Sequence, residues 1–354
     1  MKVMILGWWY YHYAKSMCRA CEKLGHEVLP LVLPEFKEAN TYWKVRAAKM
    51  GLNFIEDQYF HRVNQSFIEQ AKTFQPDICI VMNGKGIHTS FLNFLQEQKI
   101  KSILYMSDSI QSGGFDKYFP NLPLYDRIFS YEPSDTAFNE KIQYVFLGYD
   151  DDIFYPKPIS ADQEIDISFV GLLDTDRMKL LEQVAEYADK ENKKFVVHTN
   201  PLFGKRDILH YLRNASRKRR FISQFPYLFK AIIDIPVYGE DLANVYRNSK
   251  ICINIHRDSR LHSGINPRTL EILGCRSFQL VDYGHLDRVE LKSGEHIVEF
   301  KNGMDLCEKI DYFLKNEQER DKIAKTGHQF AKQKYTMSES VKTMIKGLPS
   351  MGLV

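Results

Sequence analysis

Short apolar runs recur along the chain, each followed by a longer stretch in which apolar residues return every three or four positions. Lys2-Val3-Met4-Ile5-Leu6-Gly7 has the pattern of a buried strand. A helix to about Leu24 follows, with a Gly25-His26 stop, and then a strand over Glu27 to Leu33. Residues 34–75 have mostly helical spacing. Further strands are expected at 77–82, 102–106, 126–131 and 143–147, with a helix capped by Thr89 or Ser90 and reaching about Lys99. The run Gly148 to Pro158 (GYDDDIFYPKP) is polar and proline-bearing, and has the character of a linker. A second alternation begins beyond it. It predicts strands at 166–170, 194–198, 251–255 and 277–281, and helices at 177–192, up to about Asn248, and from Asn266. Helices also close the chain: one capped by Asp305, one over 318–334, and one opened by the capping pair Thr336 and Glu339. Two successive βα series predict an α/β protein of two domains, at 1–150 and 159–335, followed by a last helix and tail at 336–354.

Composition adds limits to this picture. With 354 residues, 44% of them hydrophobic, the chain can build two cores without staples. Lys and Arg number 48 against 45 Asp and Glu, a balance too even to argue for nucleic acid or membrane by itself. The six cysteines are scattered, several inside apolar runs such as Asp77-Ile78-Cys79-Ile80-Val81, and are expected to be reduced, buried thiols. Cys18 and Cys21 form a CxxC, but no second CxxC completes a zinc site, and no metal site is expected elsewhere. Neither a signal peptide nor an apolar run of the ~18 residues needed to span a bilayer is visible, so a cytoplasmic location is expected.

The densest candidate chemistry lies between Ile251 and Asp282. Asn266 is a good N-cap, and Pro267 is tolerated at the first helical position. Arg268 then falls near the second position, where the helix already presents partial positive charge. A cation there is locally unfavourable unless an anion is bound. An Arg beside free helix amides makes an anion site, and phosphate is the common anion. Glu271 follows on the same face and suits ribose hydroxyls. The competing reading is an ordinary capped helix with a solvated Arg. Other features are open in the same way. The cluster Trp8 to Tyr13 lines a cleft or packs between domains. Asn83-Gly84-Lys85-Gly86 is a ligand-approach loop or a plain turn. Asp108, just past a strand end, is an acceptor-side carboxylate or a turn former. Lys205, Arg206, Arg213 and Arg217 to Arg220, followed by Phe221, Phe225, Tyr227 and Phe229, form a solvated helical face or a contact for an anionic surface. One Gly after the first strand is not a dinucleotide fingerprint.

These residues together resemble GT-B glycosyltransferases, most closely the CgeB-like group of spore-associated and bacterial glycosyltransferase-like proteins. The resemblance is carried by the GYDDDIFYPKP hinge, by DISFVG, and by the run from Val237 through the Asn266–Glu271 helix to Met337. It covers 145–340 well and the N-terminal half loosely. It implies two facing Rossmann-like domains, the second holding a nucleotide-sugar donor and the first the acceptor, with the last helix crossing back to the first domain. By position, Gly171 lets the donor diphosphate approach the backbone, Arg268 binds it with the helix amides, Glu271 holds the ribose, and Tyr238 borders the base. Asn266 belongs to the same helix start. Arg257, with His256 and His262, is available to the donor phosphate or the leaving group. Asp108 and His12 are candidate bases for an acceptor hydroxyl.

Many retaining relatives carry two glutamates eight positions apart. Ser263 stands where the first would be, which leaves the anomeric outcome open. The expected function is metal-independent transfer of a sugar from a nucleotide sugar, with UDP the expected nucleotide and no cofactor beyond that donor substrate, to an unidentified acceptor. The alternatives are a nucleotide-sugar- or glycan-binding protein without catalysis, or a sugar transferase acting on nucleic acid, the latter motivated by the basic 205–220 segment.

Overall fold

The computed structural model describes residues 1–7, 13–34, 42–52, 54–110, 116–157, 165–200, 208–233, 235–256, 265–286, 289–346 and 348. The chain divides into two compact units, one built from Met1–Gly148 and Thr336–Val354, the other from Tyr149–Arg260 and Gly264–Tyr335.

The first unit holds six parallel strands: β1 (Lys2–Gly7), β2 (Glu27–Val32), β3 (Ile78–Met82), β4 (Lys101–Met106), β5 (Arg127–Ser130) and β6 (Ile142–Tyr144), in the order β2-β1-β3-β4-β5-β6. Its strands are apolar on both faces, as a parallel sheet covered by helices requires. Alternate residues separate cleanly. Val3, Ile5, Ile78, Ile80 and Ile103 pack with Met17 and Cys21 of helix α1 (Tyr13–Lys23). Met4, Leu6, Cys79, Val81 and Leu104 pack on the other face. There they meet Phe67 of helix α3 (Phe54–Phe74), which follows α2 (Tyr42–Lys49), and Leu95 of helix α4 (Thr89–Glu97). Pro30 sits in β2, an edge strand, where a missing N–H is tolerated.

The second unit repeats the plan with β7 (Ile165–Val170), β8 (Phe195–His198), β9 (Ile232–Ile233), β10 (Ser249–Asn254), β11 (Gln279–Asp282) and β12 (Val298–Phe300), all parallel. Their order, β9-β8-β7-β10-β11-β12, is that of a doubly wound nucleotide-binding sheet, with the winding reversing between β7 and β10. Its helices are α5 (Thr175–Lys190), α6 (Ile208–Gln224), α7 (Pro226–Ala231), α8 (Gly239–Arg247), α9 (Pro267–Gly274), α10 (Gly303–Lys315) and α11 (Glu317–Lys334). Helix α12 (Met337–Ile345) belongs to the first unit, where Met337, Val341 and Met344 join Met17 in its core. The expected pair of Rossmann-like domains, with a final helix returning to the first, is therefore the observed architecture.

Some local expectations shift. Tyr149 to Lys157 is no loose linker. Phe154 is fully buried, Arg247 donates to the carbonyls of Ile153 and Tyr155, and Lys157 pairs with Glu240 at 2.7 Å. Neither Thr89 nor Ser90 caps α4. His88 occupies the cap position without a side-chain capping bond, and Thr89 Oγ1 donates instead to Asn121. Asn302, not Asp305, caps α10. Its side chain accepts from the Asp305 N–H while Asp305 accepts in turn from the Lys301 N–H. At α12 the expected cap is present, with Thr336 Oγ1 accepting from the Glu339 N–H.

Candidate functional site

In open α/β sheets ligands bind outside the carboxyl ends of the strands where the winding reverses. In the second unit that point is the gap between the ends of β7 and β10. Gly171 follows β7, donating its N–H to the His198 carbonyl at 3.0 Å. A Cβ on Gly171 would lie 3.1 Å from the Phe169 ring and 3.5 Å from Arg268 Cζ. The guanidinium of Arg268 therefore lies against the bare backbone of Gly171, two positions that are 97 residues apart in the chain. Arg268 reaches this place because Asn266, the cap of α9, donates from Nδ2 to Asn254 at the end of β10. The Asn266 Oδ1 accepts from the Thr269 N–H at 3.2 Å. Pro267 contributes no donor, so the Arg268 N–H is the next amide outside the helical hydrogen-bond ladder. One turn on, Glu271 is buried. Tyr246 is buried beside both. Burial raises its phenol well above the ordinary range, the Glu271 charge raises it further, and Arg268 opposes them. Its hydroxyl has no hydrogen-bond partner among the described residues.

The helix start is held by a buried polar network. Asn254 Nδ2 donates to Thr269 Oγ1 at 2.9 Å, and Asn254 Oδ1 accepts from Asn266 Nδ2 at 2.8 Å. Gln279 Nε2 donates to the Thr269 carbonyl at 2.8 Å. His256 Nδ1 lies 2.7 Å from Asp282 Oδ1, and the Asn266 N–H donates to His256 Nε2 at 2.9 Å. His285 stacks on His256 with ring centroids 3.8 Å apart. Burial would raise the Asp282 carboxyl, but hydrogen bonds from the two histidines outweigh it and hold it below the usual carboxylate range. His256, Asp282 and His285 bring ligand-type atoms within 4.8 Å of one another, as a metal site would. Both ring nitrogens of His256, however, are already engaged in hydrogen bonds.

Residues 178–346 match the family described as Glycosyl transferase-like. This stretch carries a glycosyl transferase-like domain. It contains α9, Arg268, Glu271 and the whole supporting network. Among curated proteins none matches the chain. Solved structures resemble it over its full length. A glycosyltransferase from Rickettsia africae ESF-5 is 12% identical, with 98% of this chain and 99% of that one covered and a TM-score of 0.63. The Anabaena protein Alr3699/HepE, solved with UDP and glucose, is 11% identical over 98% and 99%, with a TM-score of 0.63. An alpha-glucosyltransferase, solved with UDP and a 13-mer DNA, is 14% identical over 98% and 99%, with a TM-score of 0.62. At this identity the likeness fixes the fold class, that of GT-B glycosyltransferases.

Of the residues singled out from the sequence, Gly171, Asn266, Arg268 and Glu271 are brought together in the second unit. Tyr238 precedes α8, is half exposed at 50%, and donates its hydroxyl to Asn200 at 3.4 Å. Asp108 stands in the first unit, exposed, after β4. That sheet reverses its winding between β1 and β3, so Asp108 is one strand removed from its switch point. His12, Arg257, His262 and Ser263 lie outside the described residues, as do Trp8 to Tyr11, Lys205 and Arg206. Asn83 and Gly84, with φ of 62° and 64°, form a turn, and Asn64 Nδ2 donates to the Gly86 carbonyl there at 2.8 Å. Cys18 and Cys21 are unpaired and buried on α1, and burial pushes their thiols up to about 11 and about 12, far from a reactive thiolate. In the basic stretch, Arg217 to Arg220 are exposed on α6. Of the aromatics after them, Phe221, Phe225 and Tyr227 pack partly buried against the core, with Phe221 5.4 Å from Phe225 and 6.3 Å from Phe229. Among the described residues no helix is long and apolar enough to cross a membrane.

The sequence reading missed Asp282, His285 and Tyr246. The signal was there for the first two, since Asp-x-x-His at the end of a parallel strand faces the same ligand edge as His256.

Proposed function

We propose that the protein transfers a sugar from a nucleotide-sugar donor to an acceptor hydroxyl, with UDP as the nucleotide and no metal requirement. The domain match and the fold support a GT-B glycosyltransferase. The observation that carries the donor reading is the Arg268 guanidinium lying against Gly171 at the switch point of the second sheet, with buried Glu271 one turn behind it. As the glycosidic bond to the diphosphate breaks, negative charge grows on the departing phosphate oxygens. A fixed guanidinium and the Arg268 N–H stabilise that charge without reorganising, which is the role a metal fills in other transferases. Glu271 is assigned to the donor ribose, Tyr238 to the edge of the base, and Arg257 to the phosphate or the leaving group. Asp108 and His12 are the base candidates for the acceptor hydroxyl. We also propose membership of the CgeB-like group and a cytoplasmic location, in keeping with six unpaired cysteines.

The test is calorimetric binding of UDP, GDP and dTDP, with and without magnesium, followed by donor hydrolysis. UDP should bind best, and binding should survive chelation. Arg268→Ala should lose about 10- to 100-fold in affinity, the worth of charge-assisted hydrogen bonds to a phosphate. No binding by any nucleotide, or unchanged affinity in Arg268→Ala, sinks the reading.

A further inference from the structure

Resting on that donor reading, we infer that His256 is a positioning residue for donor binding: as a neutral imidazole it ties the end of β10 to the first turn of α9 and so sets where Arg268 stands. The geometry determines its tautomer. A backbone N–H can only donate, so the Asn266 N–H at 2.9 Å requires a bare lone pair on His256 Nε2. The ring proton is then on Nδ1, pointing at Asp282 Oδ1 2.7 Å away. Asp282 is itself fixed, because its two oxygens also accept from the His256 backbone N–H at 3.0 and 3.1 Å. One imidazole thus bridges Asp282 and Asn266, and Asn266, ten residues beyond His256 in the chain, is the N-cap two positions before Arg268.

Other cations and carboxylates around the ring agree with this state. Arg177 of α5 donates to the Ile255 and Leu172 carbonyls, placing a permanent positive charge beside the ring. His285, after β11, stacks on its face, with Nε2 3.4 Å from Asp282 Oδ2. Asp174 lies on the far side of Arg177, 3.8 Å from its Nε. Burial first, and then the charges of His285 and Arg177, lower the His256 pKa from 6.5 against the pull of Asp282. The imidazole is therefore neutral at physiological pH. Protonation would place an Nε2–H head-on against the Asn266 N–H, two donors with no acceptor between them, and release the helix start.

The experiment compares UDP affinity in the wild type, His256→Phe, His256→Gln and Arg268→Ala, with unfolding curves for each. Phenylalanine keeps the ring and its stacking but accepts no bond. Glutamine can present Oε1 to the Asn266 N–H. His256→Phe should bind UDP about tenfold more weakly while remaining folded, and His256→Gln should recover most of the loss. A folded His256→Phe that binds UDP like the wild type, while Arg268→Ala has lost binding, overturns the inference and leaves the donor site standing. Unchanged binding in Arg268→Ala overturns both. If His256→Phe does not fold, the ring-nitrogen NMR shifts of the wild type decide: a proton on Nδ1 with Nε2 bare supports the assignment, and a proton on Nε2 rejects it.

Discussion

The two units use the same plan and finish it differently at the carboxyl ends of their strands. In the first, the polar groups there sew loops together. Asn83 Oδ1 accepts from both the N–H and the hydroxyl of Ser107, at 2.7 and 3.0 Å. Asp135, fully buried, accepts from Ser109 Oγ at 2.7 Å, from the Ile110 N–H at 2.9 Å and from Ser130 Oγ. In the second, a comparable number of buried polar groups converge on the start of one helix, and what they hold in place is a cation against a glycine. The same expenditure of hydrogen bonds yields a rigid loop in one unit and an oriented Arg268 in the other. The comparison explains why the exposed Asp108, flanked by well-tied neighbours, is a weaker site candidate than residues on α9.

That contrast can be broken most forcefully at Asp135. Its removal as Asp135→Ala leaves three donors facing a cavity without an acceptor, at a cost of about 3 kcal/mol. Urea unfolding should show the loss. UDP affinity of the folded protein should be unchanged, because the Asp135 bonds to Ser109, Ile110 and Ser130 all lie within the first unit. A variant that keeps its stability but loses UDP would assign Asp135 to the donor site and erase the distinction drawn between the units.

A smaller effect is expected where the segment read as a linker meets α9. Gly274 ends that helix, and a Cβ there would fall 2.6 Å from the Tyr149 ring and 2.9 Å from the Phe154 carbonyl. Gly274→Ala should cost about 2 kcal/mol through overpacking against backbone, read as a lower unfolding midpoint. UDP affinity should fall by less than about threefold, since the Asn266 end of α9 has its own supports. A large drop in affinity would mean that the two ends of α9 move as one piece. Gly274 also marks the limit of what the chain's pattern disclosed. The parallel strands were legible because both faces are apolar. The αβ repeats followed from Gly, Asn and Pro punctuation, and Arg268 stood out because a cation at a helix start is locally wrong. GYDDDIFYPKP looked like a linker because its polar residues are adjacent in sequence. In the structure Tyr149, Asp150 and Phe154 turn inward, and Asp150 Oδ1 accepts from the Asp152 N–H at 3.0 Å. Periodicity is silent about such irregular segments. It is equally silent about His256, Asp282 and His285, whose proximity depends on strand order and not on spacing.

The amino ends of the strands supply the control, because there the two units are alike. In the first, Asp126 accepts from the Ser102 N–H at 2.9 Å, from the Ser102 hydroxyl at 3.1 Å and from Lys101 Nζ at 2.9 Å. In the second, Asp166 accepts from the Lys194 N–H at 2.8 Å and from Lys250 Nζ at 2.6 Å. Partial burial would raise both carboxyls, but these bonds outweigh it and set both below the ordinary 3.8. A carboxyl held lower in the folded state stabilises it fully above that ordinary value, and the contribution is lost as pH falls through the folded-state value beneath it. Both carboxylates are part-exposed, so each is worth only ~0.5 kcal/mol. Asp126→Asn and Asp166→Asn should therefore each lower stability at pH 7 by that small amount and make the acid limb of the stability profile shallower, one as much as the other. Equal effects at this edge would confine the asymmetry between the units to the edge that carries Arg268. A clearly larger loss in Asp166→Asn would show instead that the second unit is tuned along the whole length of its sheet.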